Sequence, residues 1–498
     1  MMTKAPSDSG DDLRLLSATE IAARIRDGRL TSRAAVDTHI AQIERVNPVI
    51  NAVVKERFAA ARAEADAADQ LRARVPKESL PLFHGVPCTI KETFALEGMP
   101  QCAGLVVRRD YRAPSDAITV KRLRAAGAIP MGVTNTSELA MWMESVNKVY
   151  GRSNNPYDAG RIVGGSSGGE GAIIAAGASP FGLGSDVGGS IRGPAFFNGI
   201  FGHKPTGGLI PNSGQYPMME NETLRLLCAG PMTRRAIDLM PLLRVLAGPD
   251  GDDKSCAAME IGDPSTVSLE GRRLLNVVDN GEMRVSKDLM DAQERVATAL
   301  EARGMQRKTV AFRGLKKQFE IWSAAMGNER GMPVGRMLKD GGQMRPLWEM
   351  MKFAAGQSDH TVMALVLAAV DPVPHLFPKL NAKITKIGKL LRQEMLDALG
   401  DDGVLLYPTY ISPAPHHSRP VLMALRMKLP FAYQGIMNVL ELPATQVPLG
   451  LNAKGLPLGV QVVSKHGNDH VTIAIAEELE RIFGGWVPPP CATDNATS

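Results

Sequence analysis

Gly164-Gly165-Ser166-Ser167-Gly168-Gly169-Glu170-Gly171, then a small apolar run, then Gly184-Ser185-Asp186-Val187-Gly188-Gly189-Ser190-Ile191-Arg192-Gly193-Pro194: this stretch decides how the chain is read. It holds two glycine-framed serines, Ser166 and Ser190. Glycine takes positive φ and tolerates close approach, so backbone N–H groups in such loops can converge on one point. Between the loops, Ala172 to Ala176 is apolar and small enough for a buried helix, and Phe181 to Gly184 reads as a short buried strand. Both serines therefore fall at element ends, where functional groups project from a scaffold. Glycine and serine also mark plain turns, but a linker does not carry an apolar run between two such clusters.

Gly164 to Gly168 also fits G-x-S-x-G, the nucleophile elbow of α/β-hydrolases, after a strand-like Arg161-Ile162-Val163. That reading makes Ser166 the nucleophile and needs a carboxylate and then a histidine downstream. His416, His417, His466 and His470 could supply the base. No His-Gly-Gly precedes residue 164, however, and Gly188-Gly189-Ser190 is left without a task.

Three further motifs bear on the choice. Upstream stands Gly85-Val86-Pro87-Cys88-Thr89-Ile90-Lys91-Glu92, and downstream Gly202-His203-Lys204-Pro205 and Gly455-Leu456-Pro457-Leu458-Gly459-Val460-Gln461. With the serine loops, in this order, they make the chain resemble the amidase signature family, and within it the fatty-acid amide hydrolase branch, from about Leu15 to Phe483. The resemblance implies an α/β fold, an α/β/α sandwich whose central mixed β-sheet is covered by helices on both faces. It implies Ser190 as the acyl-accepting nucleophile, Ser166 as a bridging serine after a cis Gly165–Ser166 peptide, and Lys91 as the base. Backbone N–H groups of Val187, Gly188, Gly189 and Ser190 would form the oxyanion hole. No metal and no organic cofactor is called for.

The residue types suit that chemistry. A serine hydroxyl is a weak nucleophile until its proton is removed, and lysine removes it only when neutral. Lysine ordinarily titrates near 10.4, while base work at neutral pH asks for about 7 to 8. Burial can supply such a shift, and Lys91 ends the apolar-leaning run Val86 to Ile90. Ser167, Ser185, Asp186 and Arg192 are expected to fix the rotamers around it, with Asp186 and Arg192 paired across the oxyanion loop.

Composition sets outer limits. The chain has 498 residues, 57 basic against 52 acidic, a net charge of +5 and 44% hydrophobic residues. That balance gives no reason to expect a nucleic-acid partner. The organisation expected is a flexible tail over 1–12, one amidase domain over 13–486 and a Pro-rich tail over 487–498. Within the domain the signature core spans 85–215 and a variable substrate-binding region about 313–395. Cys88, Cys102, Cys228, Cys256 and Cys491 form no C-x-x-C pair, which fits a reducing, cytoplasmic setting. Met1 to Leu16 lacks the apolar core of a secretion signal. No apolar run reaches the roughly 18 to 20 residues a membrane span requires, a departure from those fatty-acid amide hydrolases that carry an N-terminal anchor.

Scaffold signals are ordinary. Ser17-Ala18-Thr19-Glu20 is a capping box opening a helix with Ile21 and Ile25 inside. Thr31 or Ser32 caps the next, with Val36, Ile40 and Ile43 on one face. Asp116 to Gly127 reads as a helix, and Ile129 to Thr134 and Val404 to Tyr407 as strands.

Substrate choice is expected in residues 313 to 375, where Met326, Met332, Met337, Met344, Met350, Met351 and Met363 accompany Phe319, Trp322, Trp348 and Phe353. Methionine adapts to irregular apolar ligands as well as to irregular cores, so these residues either line an acyl channel or fill the interior. Beyond them, Leu380, Ile384, Ile387 and Leu391 lie at helical spacing beside Lys379, Lys383, Lys386, Lys389 and Arg392. Such a helix packs on a core or rests on an anionic membrane, so 379–392 is the expected site of any peripheral membrane contact. The adjacent His416 and His417 read as solvated loop residues. The expected reaction is hydrolysis of carboxylic or fatty-acid amides to the acid and ammonia or an amine, in a chain that can form a homodimer. A small aliphatic or aryl amide hydrolase on the same triad and the amidase subunit of a transamidation complex are the alternatives within the family.

Overall fold

A computed structural model describes residues 12–493 except 220, 328–331 and 426–428. The expected N-terminal tail thus lies, apart from Asp12, outside the described residues, as do 494–498. In chain order the strands are β1 Val53–Glu56, β2 Pro87–Lys91, β3 Ile129–Thr134, β4 Val146–Asn147, β5 Gly151–Arg152, β6 Phe181–Asp186, β7 Phe201–Lys204, β8 Cys228–Thr233, β9 Arg273–Asn276, β10 Gln306–Thr309, β11 Val404–Tyr407, β12 Ala444–Leu451 and β13 Pro457–Ser464. All but the β4–β5 pair join one sheet of 11 strands in the order β1-β3-β2-β6-β8-β7-β12-β13-β11-β9-β10. The sheet is mixed: β2 runs parallel to both β3 and β6, whereas β8 is antiparallel to β6 and β7.

The Phe181-Gly182-Leu183-Gly184 alternation explains how β6 is dressed. Successive side chains in a strand point to opposite faces. Phe181 and Leu183 enter a core shared with Ile90, Val120 and Leu243. Gly182 and Gly184 turn to the other face, where a second core gathers Val36, Ile40, Ala61, Ile173 and Ile191. A Cβ on Gly182 would run into the Glu170 carboxyl, so glycine there lets the Gly168–Ala175 helix lie flat on the strand. Helices thus cover both faces of the central sheet, as expected.

Local signals behave as read. Ser17 caps the Ala18–Arg26 helix by accepting the Glu20 N–H at 3.0 Å, and Thr31 caps Ser32–Ile50 through Ala34. Ile129–Thr134 and Val404–Tyr407 are strands. Three readings need correction. The Asp116–Gly127 helix is confined to Ile118–Ala125, because Asp116 instead accepts the Glu97 N–H in a turn. Arg161-Ile162-Val163 is no strand; it makes single bridges, Asn154 to Ile162 and Arg161 to His416. Residues 487–493 are docked: Tyr157 donates to the Val487 carbonyl at 2.5 Å, Arg45 to that of Cys491 at 2.8 Å, and Ala492 is buried.

The basic segment is a helix, Pro378–Leu399. Leu391 is buried and Ile384 and Ile387 pack against the core, but Leu380 stays in the open. Among the described residues no helix is long and apolar enough to cross a membrane.

Candidate active site

Lys91 closes β2, all five residues of which are buried. Its Nζ donates to Ser166 Oγ at 2.7 Å and to Ser185 Oγ at 2.9 Å. Burial pulls the ammonium from 10.5 down to about 7, against the opposing charges of Asp186, Glu170 and Glu92. Those carboxyls are themselves enclosed. Glu170 accepts the Thr89 and Thr134 hydroxyls at 2.7 and 2.9 Å, and Glu92 accepts the backbone N–H groups of Cys102 and Ala103 and the Tyr150 hydroxyl. Burial raises both from their ordinary values, Glu170 to about 8.

Ser166 enters through the loop just before the Gly168–Ala175 helix, and the Gly165–Ser166 peptide is cis. Gly165 packs flat against the backbone of Trp142 to Glu144, where a Cβ would collide with the Trp142 carbonyl. Ser145 clamps the turn: its hydroxyl lies 3.0 Å from the Gly164 carbonyl and 3.2 Å from that of Ser166, and accepts the Gly168 N–H at 3.0 Å. Sequence reading missed Ser145, which carries no motif of its own. Ser167 ties the two loops together, its N–H donating to the Ser190 carbonyl at 3.2 Å and its Oγ bridging to the Ser185 backbone.

The second loop turns on Asp186, at the end of β6. Its Oδ1 accepts the Gly189 N–H at 2.7 Å and its Oδ2 the Ile191 N–H at 3.1 Å. Arg192 meets the same carboxylate with Nη2 at 3.0 Å and Nε at 3.1 Å, so the expected pair is present and fully enclosed. Burial alone would raise Asp186, yet the Arg192 charge and hydrogen bonds, helped by Lys204 and Gly189, hold it at about 2. Arg192 also donates to Gln461 at 2.6 Å and Asn438 at 2.7 Å, and Asn438 donates back to the Asp186 carbonyl at 2.9 Å. Gln434, from the same Ala432–Val439 helix, fills the space beside Gly189, whose φ of 108° and lack of a Cβ the packing requires.

Of the four N–H groups expected to face an oxyanion, that of Gly189 is therefore turned onto Asp186 instead. Those of Val187, Gly188 and Ser190 bond no acceptor among the described residues. Ser190 is half-exposed while Lys91 and Ser166 are sealed, a gradient from solvent to the buried lysine. The Ser166 and Ser190 hydroxyls are not hydrogen-bonded to each other; the loops meet through Ser167.

The histidines needed by the α/β-hydrolase alternative stand elsewhere. His417 Nδ1 lies 2.6 Å from Glu144, His416 rests on the Gly160 carbonyl and His466 on that of Glu441, and none of the four bonds Ser166. His417 is thus half-buried against the Glu144 carboxyl and not a solvated loop residue. The methionines divide. Met326 and Met363 are buried, Met337 and Met344 pack on Leu105 and Leu338, and Met350, Met351 and Trp348 are exposed. Trp322 is different: its indole N–H donates to the Val187 carbonyl at 2.8 Å, so the variable region reaches the second serine loop.

Residues 34–473 match the Amidase family model. The chain belongs to this family. It is an amide hydrolase of the amidase signature type, 44% identical to fatty-acid amide hydrolase 2 of Homo sapiens over 98% of this chain and 92% of that relative. The indoleacetamide hydrolase of Bradyrhizobium diazoefficiens is 32% identical over 94% of this amidase and 86% of its own length. Among solved structures, 6-aminohexanoate cyclic dimer hydrolase superposes with a TM-score of 0.79 at 25% identity, covering 97% of the amidase and all of that chain.

Proposed function

We propose that the protein hydrolyses carboxylic and fatty-acid amides through an acyl-enzyme on Ser190. What carries this reading is the buried Lys91 Nζ, 2.7 Å from the Ser166 hydroxyl. Neutral Lys91 takes the Ser166 proton while Ser166 takes that of Ser190, and the Ser190 oxygen attacks the amide carbonyl. The tetrahedral oxyanion is met by free backbone N–H groups of the Val187–Ser190 turn, where one donor is typically worth about 3 to 4 kcal/mol. Lys91 returns its proton through Ser166 to the leaving nitrogen, the C–N bond breaks, and water then releases the acid by the same relay. A cytoplasmic setting fits the five unpaired cysteines.

The acyl group is the finer question. Similarity to fatty-acid amide hydrolase 2 favours long chains; the exposed Met350 and Met351 give no enclosed channel in their part of the molecule. Purified protein is assayed on primary amides from acetamide to oleamide, with Ser190→Ala as the blank. Each buried methylene contributes about 0.8 kcal/mol, roughly fourfold, so a lipid-amide hydrolase shows kcat/KM climbing with chain length. A flat series indicates a small-amide enzyme on the same triad, and turnover without any partner removes the transamidation-subunit reading.

A membrane contact has an observation in its favour. Leu376, Phe377 and Leu380 are 69, 57 and 57% exposed at the start of the Pro378–Leu399 helix, beside the exposed Lys379 and Lys383. Apolar side chains with flanking lysines suit an anionic bilayer surface. Salt-sensitive cosedimentation with phosphatidylserine vesicles, lost in Leu376→Ser/Phe377→Ser/Leu380→Ser, is the expected result; binding unchanged by those substitutions removes this assignment.

A further inference from the structure

The peptide plane is rigid, and in a trans peptide the C=O and the N–H that follows it project to opposite sides. Holding the carbonyl therefore aims the N–H. At the Asp186–Ser190 turn, the three N–H groups that bond no acceptor among the described residues all belong to peptides whose carbonyl ends are tied down. The Asp186 carbonyl, ahead of the Val187 N–H, accepts Asn438 Nδ2 at 2.9 Å. The Gly189 carbonyl, ahead of the Ser190 N–H, accepts the Gly193 N–H at 2.7 Å. The Val187 carbonyl, ahead of the Gly188 N–H, accepts the indole Nε1 of Trp322 at 2.8 Å.

Trp322 sits in a slot shaped for it. A Cβ on Gly188 would lie 3.2 Å from the ring and one on Gly435 2.8 Å from it, so both neighbours leave room as glycines. Phe431 meets the ring edge-on at 4.9 Å between centroids, fixing its tilt. Its helix, Gln318–Gly327, is pinned at the first residue, where Gln318 accepts the Tyr407 hydroxyl at 2.7 Å.

We propose that Trp322 is a positioning residue for catalysis: by anchoring the Val187 carbonyl it aims the Gly188 N–H at the oxyanion formed on the substrate. This rests on Ser190 being the nucleophile. Trp322 does not touch the reacting atoms, and it belongs to the variable region, so a segment outside the shared motifs sets the geometry of the donor turn.

Trp322→Phe keeps the ring packing and removes the N–H. Since losing one oxyanion donor outright typically costs about 100- to 1000-fold in kcat, a mis-aimed donor is expected to cost about 10- to 100-fold. The expected result is a fall in kcat with KM within about twofold, matched by an equal loss of affinity for a trifluoromethyl ketone, whose hemiketal oxyanion occupies the same place. Should Trp322→Phe fold poorly, 3-benzothienylalanine at position 322, which replaces the N–H by sulfur in the same ring shape, gives the same readout. Unchanged kcat and ketone affinity, or a lower kcat with ketone affinity intact, overturns the assignment. Ser190→Ala run alongside separates the two readings: activity surviving there overturns the nucleophile itself, whereas a dead Ser190→Ala with normal Trp322→Phe overturns the role of Trp322 alone.

Discussion

Lys91 and Ser166 meet at 2.7 Å where neither side chain reaches solvent. A base in that position works only when uncharged, and burial brings the Lys91 ammonium to about 7. The rate kcat/KM should therefore rise with pH through about 7 and level off above it. Lys91→Ala should lower the plateau by about 100- to 10,000-fold and abolish that limb. A limb near pH 7 that persists in Lys91→Ala would assign the titration to another group.

The same burial makes a statement about stability. In the unfolded chain lysine returns to its ordinary value of 10.5, so between about 7 and 10.5 the unfolded state binds a proton that the folded state does not. Stability then increases with pH across that window, by on the order of 5 kcal/mol, and below about 7, where both states are protonated, the cost is constant. Lys91→Met carries no such term. Its advantage over the wild type in thermal melting is expected to be largest at or below pH 7 and to shrink toward pH 10; parallel curves would contradict the buried titration.

Removing one member of an enclosed ion pair leaves the other uncompensated. Asp186→Asn strands Arg192, which the structure seals completely, and weakens the hold on the Gly189 and Ile191 N–H groups. The expected cost is about 3 to 5 kcal/mol, read as a lower urea midpoint with the m-value unchanged. A loss under about 1 kcal/mol would mean that Gln461 and Asn438 satisfy the guanidinium without it.

Ser145→Ala tests the clamp on the Ser166 loop. It leaves the Gly168 N–H without its side-chain acceptor inside a buried turn, for an expected cost of about 1 to 3 kcal/mol. Because the same hydroxyl reaches the Gly164 and Ser166 carbonyls, kcat should fall as well, while Ser145→Thr, which keeps the oxygen, should recover part of it. Equal activity in Ser145→Ala and wild type would reduce Ser145 to scaffold.

Ser145 also marks where sequence reading stops. Ser166 and Ser190 stand out locally because glycine frames their loops, whereas Lys91, Asp186 and Arg192 were singled out only through the resemblance to the amidase signature motifs. Ile129–Thr134 and the Ser17 cap were legible because their signals, too, are local. Gln434 and Asn438 were not, and Gln461, though it ends a quoted motif, gave no sign of its bond to Arg192, since a polar residue in a helix or strand has no local mark of the distant carbonyl or guanidinium it meets. Arg161-Ile162-Val163 has strand composition but no ladder partner, only single bridges. Gly189 was grouped with its neighbours as a donor, and only the position of the Asp186 carboxylate reveals that its N–H faces inward. The methionines could be counted but not sorted, because exposure depends on how their helices pack.

The Ala432–Val439 helix, with Gln434 beside Gly189 and Asn438 on the Asp186 carbonyl, stands some way along the chain from the loop it shapes. Residues 164–194 transplanted into another backbone would carry the proposed nucleophile without its mould. Chimaeras exchanging only the glycine-serine segment between distant relatives are expected to fold around a slack turn. The smallest exchangeable unit takes in 432–439 as well, so recombination breakpoints that preserve activity should avoid separating the two.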